Sequence, residues 1–564
     1  MKFYKPLYFT LGAALLFASC KKEFLEITPT SVISTSSVET DTAVYEAFVL
    51  DRYISPRLQD KEGEGAGPGF GRGFEYSLMS SYTDESIYNN DDGTWAMQRG
   101  QVSPDNLGST ASFWSRSYRS IRECNYALQV LATISMSAGH KKMIEGELKF
   151  IRAFRYQDII RNYGRAVLVG DKVTQLTDNL QDDALSKRAT LKESIDYANA
   201  QLDQAAALLP LNNSNNWLLG RATKGAALAL KSRLTLYAAS PLYNAGTWAD
   251  AVTAAQAVIN LNKYGIYTGG YNKMFLQNET NEMIFERLFT TNARHVCLEI
   301  ANGPNGYNAW GGNTPMQNLV DDYQMVSGKA TGETGSGYDP AKPYANRDPR
   351  FEYTVIHDGA SYRGRNLEAF VPGGKDSKDG NSNWNTTKTG YYLKKFMNDA
   401  FPIDNPWDVA GLQPWIYMRY SEILLNFAEA ANEAYGPDVV PAGSSMSARQ
   451  AVNMIRSRPD VNMPPLATGL SQLQMKDAIR YERRVELAFE EHRYYDVRRW
   501  KIANVVENKA ASGIVITKDG NNNLSYTSKV ALDGKTFQDK QYWLPIPRAE
   551  ILASNGKLEQ NPGY

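Results

Sequence analysis

Aromatic rings set among amides and carboxylates are the groups in this chain best suited to act on a ligand. Two segments carry them. One is YTDESIYNNDDGTWAMQRG (82–100), with Asp84, Tyr88, Asn90, Asp92 and Trp95; the other is NGYNAWGGNTPMQN (305–318), with Tyr307 and Trp310. Trp384, inside NSNWN, is a third place of the same kind. Flat apolar ring faces stack on the apolar faces of sugars, while Asn, Asp, Arg and Gln bond the hydroxyls. The flanking Gly and Asn argue for exposed loops. The plainer alternative is that each ring anchors a loop to the core, and a composition of 34 Tyr and 10 Trp is compatible with both uses.

Cys20 offers a different chemistry. It follows MKFYKPLYFTLGAALLFAS, in which Lys2 and Lys5 precede an apolar or neutral run from Leu7 to Phe17 and small residues come just before the cysteine. That run is too short to span a bilayer, which takes roughly 20 apolar residues. It has the form of a lipoprotein signal, whose cleavage would leave Cys20 as a lipidated N-terminus and tie a globular body to a membrane face. An ordinary cleaved signal with a coincidental cysteine is the alternative.

Other chemistries lack their motifs. Glycoside hydrolysis needs two carboxylates about the scissile bond, but with 61 acidic residues such pairs are unavoidable. Glu486, Glu490 and Glu491 lie beside Arg483 and Arg484 on one predicted helix, which suits a structural ion-pair network. The histidines are His140, His295, His357 and His492, with no HExxH, and His295-Val296-Cys297 stands isolated. There is no GxSxG. GRATKG (220–225) is followed by Ala226 and Ala227 where a phosphate loop needs Lys and Ser/Thr, and the glycines of 62–73 fall on alternate positions, not as GxGxxG. No metal, no cofactor and no enzymatic activity is expected. Lys+Arg and Asp+Glu both number 61, a balance that disfavours nucleic acid as a partner. Beyond Cys20 only Cys124 and Cys297 occur, so no disulfide framework is present. Those two could pair or sit as small buried hydrophobes.

The elements that must position these residues read as helices. Glu145–Tyr163 places Leu148, Ile151, Tyr156, Ile159 and Ile160 near one face. Leu191–Leu209 opens on Thr190 and Glu193 at capping-box spacing and closes at Pro210. Thr223–Tyr237, Trp248–Leu261, Tyr417–Tyr435, Ala448–Ser457 and Leu473–Trp500 follow the same period, and a short strand pair is expected from Ile514. Helix pairs with small residues at crossings suggest a mainly α, tetratricopeptide-like helical repeat solenoid with minor β. Between 265 and 414 the period fades into Gly, Asn, Pro and aromatic residues, a loop-rich insert whose Trp and Tyr content speaks against disorder. Trp114, Trp248, Trp415 and Trp500, on or beside helices, are expected in the core.

Several segments resemble SusD/RagB-type lipoproteins in order along the chain. EGELKFIRAFRYQDIIRNYG (145–164), GRATKGAALALKSRLTLYAA (220–239) and RYSEILLNFAEAANEAYG (419–436) are similar to helices of that family. RYERRVELAFEEHRYYDVRRW (480–500) resembles its ERR…RRW signature, and WLPIPRAEILASNGKLEQNPGY (543–564) its ending. Glu490-Glu491 departs from a common Glu-Gly pair. The resemblance implies a SusD-like α-α superhelix with a signal over 1–19, a lipidated tether over 20–37, a helical repeat region over 38–264, and a C-terminal region over 265–564 that holds the insert (265–414) and closing helices. It implies a glycan-binding lipoprotein at the cell surface of a Bacteroidota outer membrane, anchored by lipid and passing oligosaccharides to a SusC-like TonB-dependent porin. It also implies ligand contacts from an N-terminal loop and from a loop before a helix resembled by TPMQNLVDDY (314–323), which favours Trp310 and then Trp95. A tetratricopeptide-like scaffold for protein ligands and a surface glycan hydrolase are the alternatives.

Overall fold

The computed structural model describes residues 35–53, 77–291, 295, 297–401 and 411–564. Cys20, the signal, the tether up to residue 34 and the glycine loop 62–73 lie outside them.

Side-chain caps start several of the helices, one of them, capped by Ser137, seven residues before the expected Glu145. Asp41 accepts the backbone N–H groups of Ala43 and Val44 and opens α1 (Thr42–Asp51). Then come α2 (Phe113–Thr133), α3 (Ala138–Tyr163), α4 (Leu191–Leu208), α5 (Lys224–Ala239) and α6 (Trp248–Ile259). The capping box at α4 forms between Thr190 and Glu193 as the spacing predicts. After the insert come α7 (Tyr420–Tyr435), α8 (Ala448–Arg456), α9 (Gln472–Glu486) and α10 (Arg493–Arg499).

From α2 to α6 each helix packs on the next, which is how a helical repeat buries a face that no single pair can bury alone. Close approach demands small residues: a Cβ on Gly146 of α3 would stand 2.8 Å from the Cβ of Leu208 on α4. The stack does not stop at the insert, because α6 packs directly on α7, and α7 in turn carries α8 and α9. The insert therefore leaves and rejoins the solenoid at adjacent helices. Its neck is closed by β2 (Met283–Arg287) pairing antiparallel with β4 (Trp415–Arg419). The expected terminal strand pair is β5 (Ala511–Lys518) with β6 (Leu524–Leu532). Trp114, Trp415 and Trp500 are buried and Trp248 is half-buried. Cys124 and Cys297 are both free. Burial pushes the Cys124 thiol up to about 12, the state of an inert core residue.

The predicted single helix Leu473–Trp500 is two helices. α9 stops at Glu486, the chain passes through left-handed backbone at Phe489 (φ 63°) and Glu491 (φ 64°), and α10 starts at Arg493. Glu491 thus occupies a conformation that favours glycine, at the position where the family pattern has one. The break is held by Lys395, fully buried, whose Nζ donates to Ala488 O at 2.9 Å and Glu490 Oε1 at 2.7 Å.

Around this break Glu486 and Glu490 enter an ion-pair network as expected, but with Arg419, Arg350, Arg458 and Lys395 and not with Arg483 and Arg484, which pair with Asp496 and Asp84. Glu486 accepts Arg419 at 2.7 Å and Arg350 at 3.0 Å, and Arg458 stands 3.2 Å away. Glu490 accepts from Arg419 through both oxygens at 2.7 Å. Burial alone would raise the Glu486 carboxyl, but Arg419, Arg458 and Arg350 hold it well below the usual range. Glu282 joins the same cluster from β2's leading edge by accepting from Arg458 and Arg419. The network ties the insert's neck to α7 and α9.

Candidate functional site

The two aromatic segments that the sequence singles out are joined as one structure. Residues Ser86–Tyr88 (β1) pair antiparallel with Asn313–Pro315 (β3), placing Tyr88 opposite Asn313. The pairing continues on both sides, with Asn89 N–H donating to Gly312 O at 2.7 Å and Met316 N–H to Glu85 O at 2.8 Å. A third segment joins them. The Asn89 amide donates to Asn385 O at 3.3 Å and Thr386 O at 3.0 Å and accepts the Lys388 N–H at 3.1 Å. Gly311 permits this approach: at φ +58° an added Cβ would stand 2.7 Å from Asn385 O. Asn305, fully buried, donates to Ser377 O and Asn381 O and accepts the Tyr392 hydroxyl at 2.6 Å. The three loops that carry Trp95, Trp310 and Trp384 are therefore one cluster.

The base of the first loop is clamped to the arginine-rich helices. Asp84 accepts Arg484 of α9 at 3.0 Å and Arg493 of α10 at 2.9 Å. Burial works against its charge, yet Arg484 and Arg493 hold the carboxyl well below the usual carboxylate range. Its neighbour Glu85 is pushed up to about 6 by burial, against the pull of the same two arginines. Asp84 is thus a positioning residue of the loop, not a ligand group at its tip.

Within the cluster the candidate side chains differ sharply. Trp384 is 73% exposed, on a turn of 3-10 helix over Asn383–Asn385. Beside it Ser382 Oγ donates to Asn308 Oδ1 at 3.2 Å, and Asn308 is exposed. Trp310 is half-buried, with its backbone N–H on Ile300 O at 2.7 Å. Trp95 is half-buried too. Its indole N–H donates to Tyr88 O at 3.0 Å, and the cations of Arg99 and Lys388 stand 5.2 and 5.1 Å from its ring. Tyr307 spends its hydroxyl on Tyr362 O at 2.6 Å and has Arg365 4.3 Å over its ring.

Tyr88 corrects the expectation of exposure. It is 5% exposed, because β1 is buried along its whole length, on both of its faces. Asn90 and Asp92 are both exposed at the loop tip, where Asp92 accepts Ser77 Oγ at 3.0 Å. Sequence reasoning missed Asn89, Asn308 and Ser382. No local signal marked them: Asn89 bonds residues 296 and 297 positions away, and Ser382 bonds Asn308, 74 positions away.

Such a surface can stack a ring on Trp384 and Trp310 and bond hydroxyls through Asn308, Asn90 and Asp92. The nearby acid Asp376 is buried and accepts two hydrogen bonds from Arg365, at 2.6 and 2.7 Å.

A family model described as the SusD family matches residues 258–564, more than half of the chain, and one described as starch-binding associating with outer membrane matches residues 69–236. SusD-like protein P2 of Formosa agariphila is 26% identical, with the whole of both chains covered. A solved SusD-like protein from Bacteroides fragilis has the same fold over 94% of this chain and 99% of its own, with a TM-score of 0.76 and 26% identity. A SusD-like carbohydrate binding protein from the same species covers 93% of this chain and 100% of its own, with a TM-score of 0.76 and 21% identity. Among the described residues no helix is long and apolar enough to cross a membrane.

Proposed function

This chain belongs to the SusD family, and from that premise we propose that it is a lipid-anchored protein of the outer membrane surface that captures oligosaccharides and passes them to a SusC-like TonB-dependent porin. The observation that carries this reading is the cluster of three loops, fastened to each other and to the ion-pair core, with Trp384 standing 73% exposed among Asn and Ser side chains. A large exposed aromatic with hydrogen-bonding neighbours on a rigid support is what a sugar-stacking platform requires. A purely protein-binding scaffold would have buried the insert's aromatics. A hydrolase would set two free carboxylates about the stacked sugar, and Asp84 and Asp376 are instead locked to arginines. Cys20 supplies the anchor in this reading, and the tether after it lets the body move over its porin.

Titration calorimetry on the soluble Cys20→Ala form tests the proposal, with maltoheptaose first and then other neutral oligosaccharides. We expect binding to at least one. Trp384→Ala should weaken it by about 1.5 kcal/mol, roughly tenfold, and adding Trp310→Ala should abolish it. Unchanged affinity in the double variant would rule out this surface, and shortening of the oligosaccharide on incubation would bring back the hydrolase.

A further inference from the structure

Cations in and around the loop cluster are answered by carboxylates at several points: Arg365 pairs with Asp376, Arg493 with Asp84 and Lys375 with Glu368. Three cations beside Trp95 are not. Among the described residues no carboxylate forms an ion pair with Arg99, Lys388 or Lys529. The nearby acids are turned elsewhere: Asp91 accepts the Trp95 backbone N–H at 2.8 Å and Asp92 the Ser77 hydroxyl at 3.0 Å. Arg99 Nε donates to a carbonyl, Asp533 O, at 2.9 Å. All three cationic side chains are half-buried, so each keeps a face that a ligand can reach.

The backbone brings these cations together. Trp95 packs on Ile87, Met316, Ala511 and Leu532, which sets it against β5 and β6. Lys529 of β6 stands opposite Gly513 of β5. On the other side of β5, Ile514 N–H donates to Thr389 O at 2.8 Å, and a Cβ on Gly513 would stand 2.7 Å from that same oxygen. Gly513, with no side chain, thus lies between Lys529 and the segment that carries Lys388. The two ammonium groups act on each other: burial first, and then the Lys388 charge, pull Lys529 below its ordinary value. Lys388 and Arg99 are both within cation–π reach of Trp95. Asn89 holds the backbone of Asn385, Thr386 and Lys388, so Lys388 shares one support with Trp384. Like charges gathered without a counter-ion oppose one another, and an anion accepting charge-assisted hydrogen bonds offsets that.

We propose that the oligosaccharide taken by the loop cluster is anionic, its carboxylate or sulfate ester held by Arg99, Lys388 and Lys529 beside Trp95. This rests on the oligosaccharide reading of the same cluster and names the class of sugar it takes.

Two matched pairs of probes test it by calorimetry on the soluble Cys20→Ala form. Tetragalacturonate and its methyl ester differ by carboxylate charge, and a κ-carrageenan tetrasaccharide and its desulfated form differ by sulfate. In at least one pair the charged member should bind about tenfold or more tightly than its neutral counterpart, and which pair it is tells carboxylate from sulfate. Raising salt from about 50 to about 500 mM should weaken the charged member several-fold. Lys388→Gln and Lys529→Gln should each cut the charged member's advantage severalfold, and the double variant should erase it. Trp384→Ala should weaken the charged member too, because both contacts hold one ligand. Binding of neutral oligosaccharides with no preference for charge in either pair would overturn the anionic ligand and leave the stacking platform standing. A preference that survives the double lysine variant would also overturn the proposal, and failure of every charged and neutral oligosaccharide to bind would overturn both readings.

Discussion

Trp384, between Asn383 and Asn385, stands 73% exposed on a turn closed by backbone bonds from Asn385 N–H to Ser382 O and from Thr386 N–H to Asn383 O. Trp95, by contrast, uses its indole N–H inside its own loop. The two rings are the same residue type with opposite roles, and hydrogen-bond partners decide between them. Glu286 makes a second residue-scale argument. Its folded pKa, about 7, lies above the ordinary carboxylate value of about 4.3. Its stabilising contribution is therefore complete below that ordinary value and is lost as pH rises through 7. Glu286→Gln should match the wild type near pH 4 and exceed it by roughly 3 kcal/mol at pH 8, read as unfolding free energy in urea. A constant difference across that range would show that burial does not govern this group.

At the scale of elements, the first loop depends on α9 and α10 through Asp84. Asp84→Asn removes a buried charge that two arginines enclose and should cost about 3–5 kcal/mol at pH 7. Because the folded pKa of Asp84 is depressed, that stabilisation is present above the unfolded value, about 3.9, and declines as pH falls below it. The gap between variant and wild type should narrow in acid. Asn89→Ala should act differently: it unfastens the Trp384 loop from the Trp95 loop, lowering oligosaccharide affinity several-fold with little change in Tm. Helices α3 to α6 were legible in the sequence because caps, proline stops and apolar period are local. The join between the loops was not, since Asn89 and Asn385 are 296 positions apart and nothing near either names the other. The break between α9 and α10 was hidden for a related reason. An unbroken run of good helix formers conceals left-handed residues that distant groups, Lys395 among them, hold in place.

For the whole molecule, the direct packing of α6 on α7 makes the insert an outgrowth of a continuous solenoid. In the proposed role, the three-loop cluster would be presented on a rigid body that a single N-terminal anchor could hold. A Cys20→Ala variant should be found in the soluble fraction and still bind oligosaccharide; loss of binding on release would mean the anchor shapes the site. The account as a whole rests on sugar stacking at the three-loop cluster. The most direct measurement is a crystal structure of the soluble chain with an oligosaccharide that it binds. The account predicts a sugar ring against Trp384, with hydroxyls within hydrogen-bond distance of Asn308 and Trp310 at the edge of the same ligand. A bound oligosaccharide that leaves Trp384 and Trp310 untouched would contradict it.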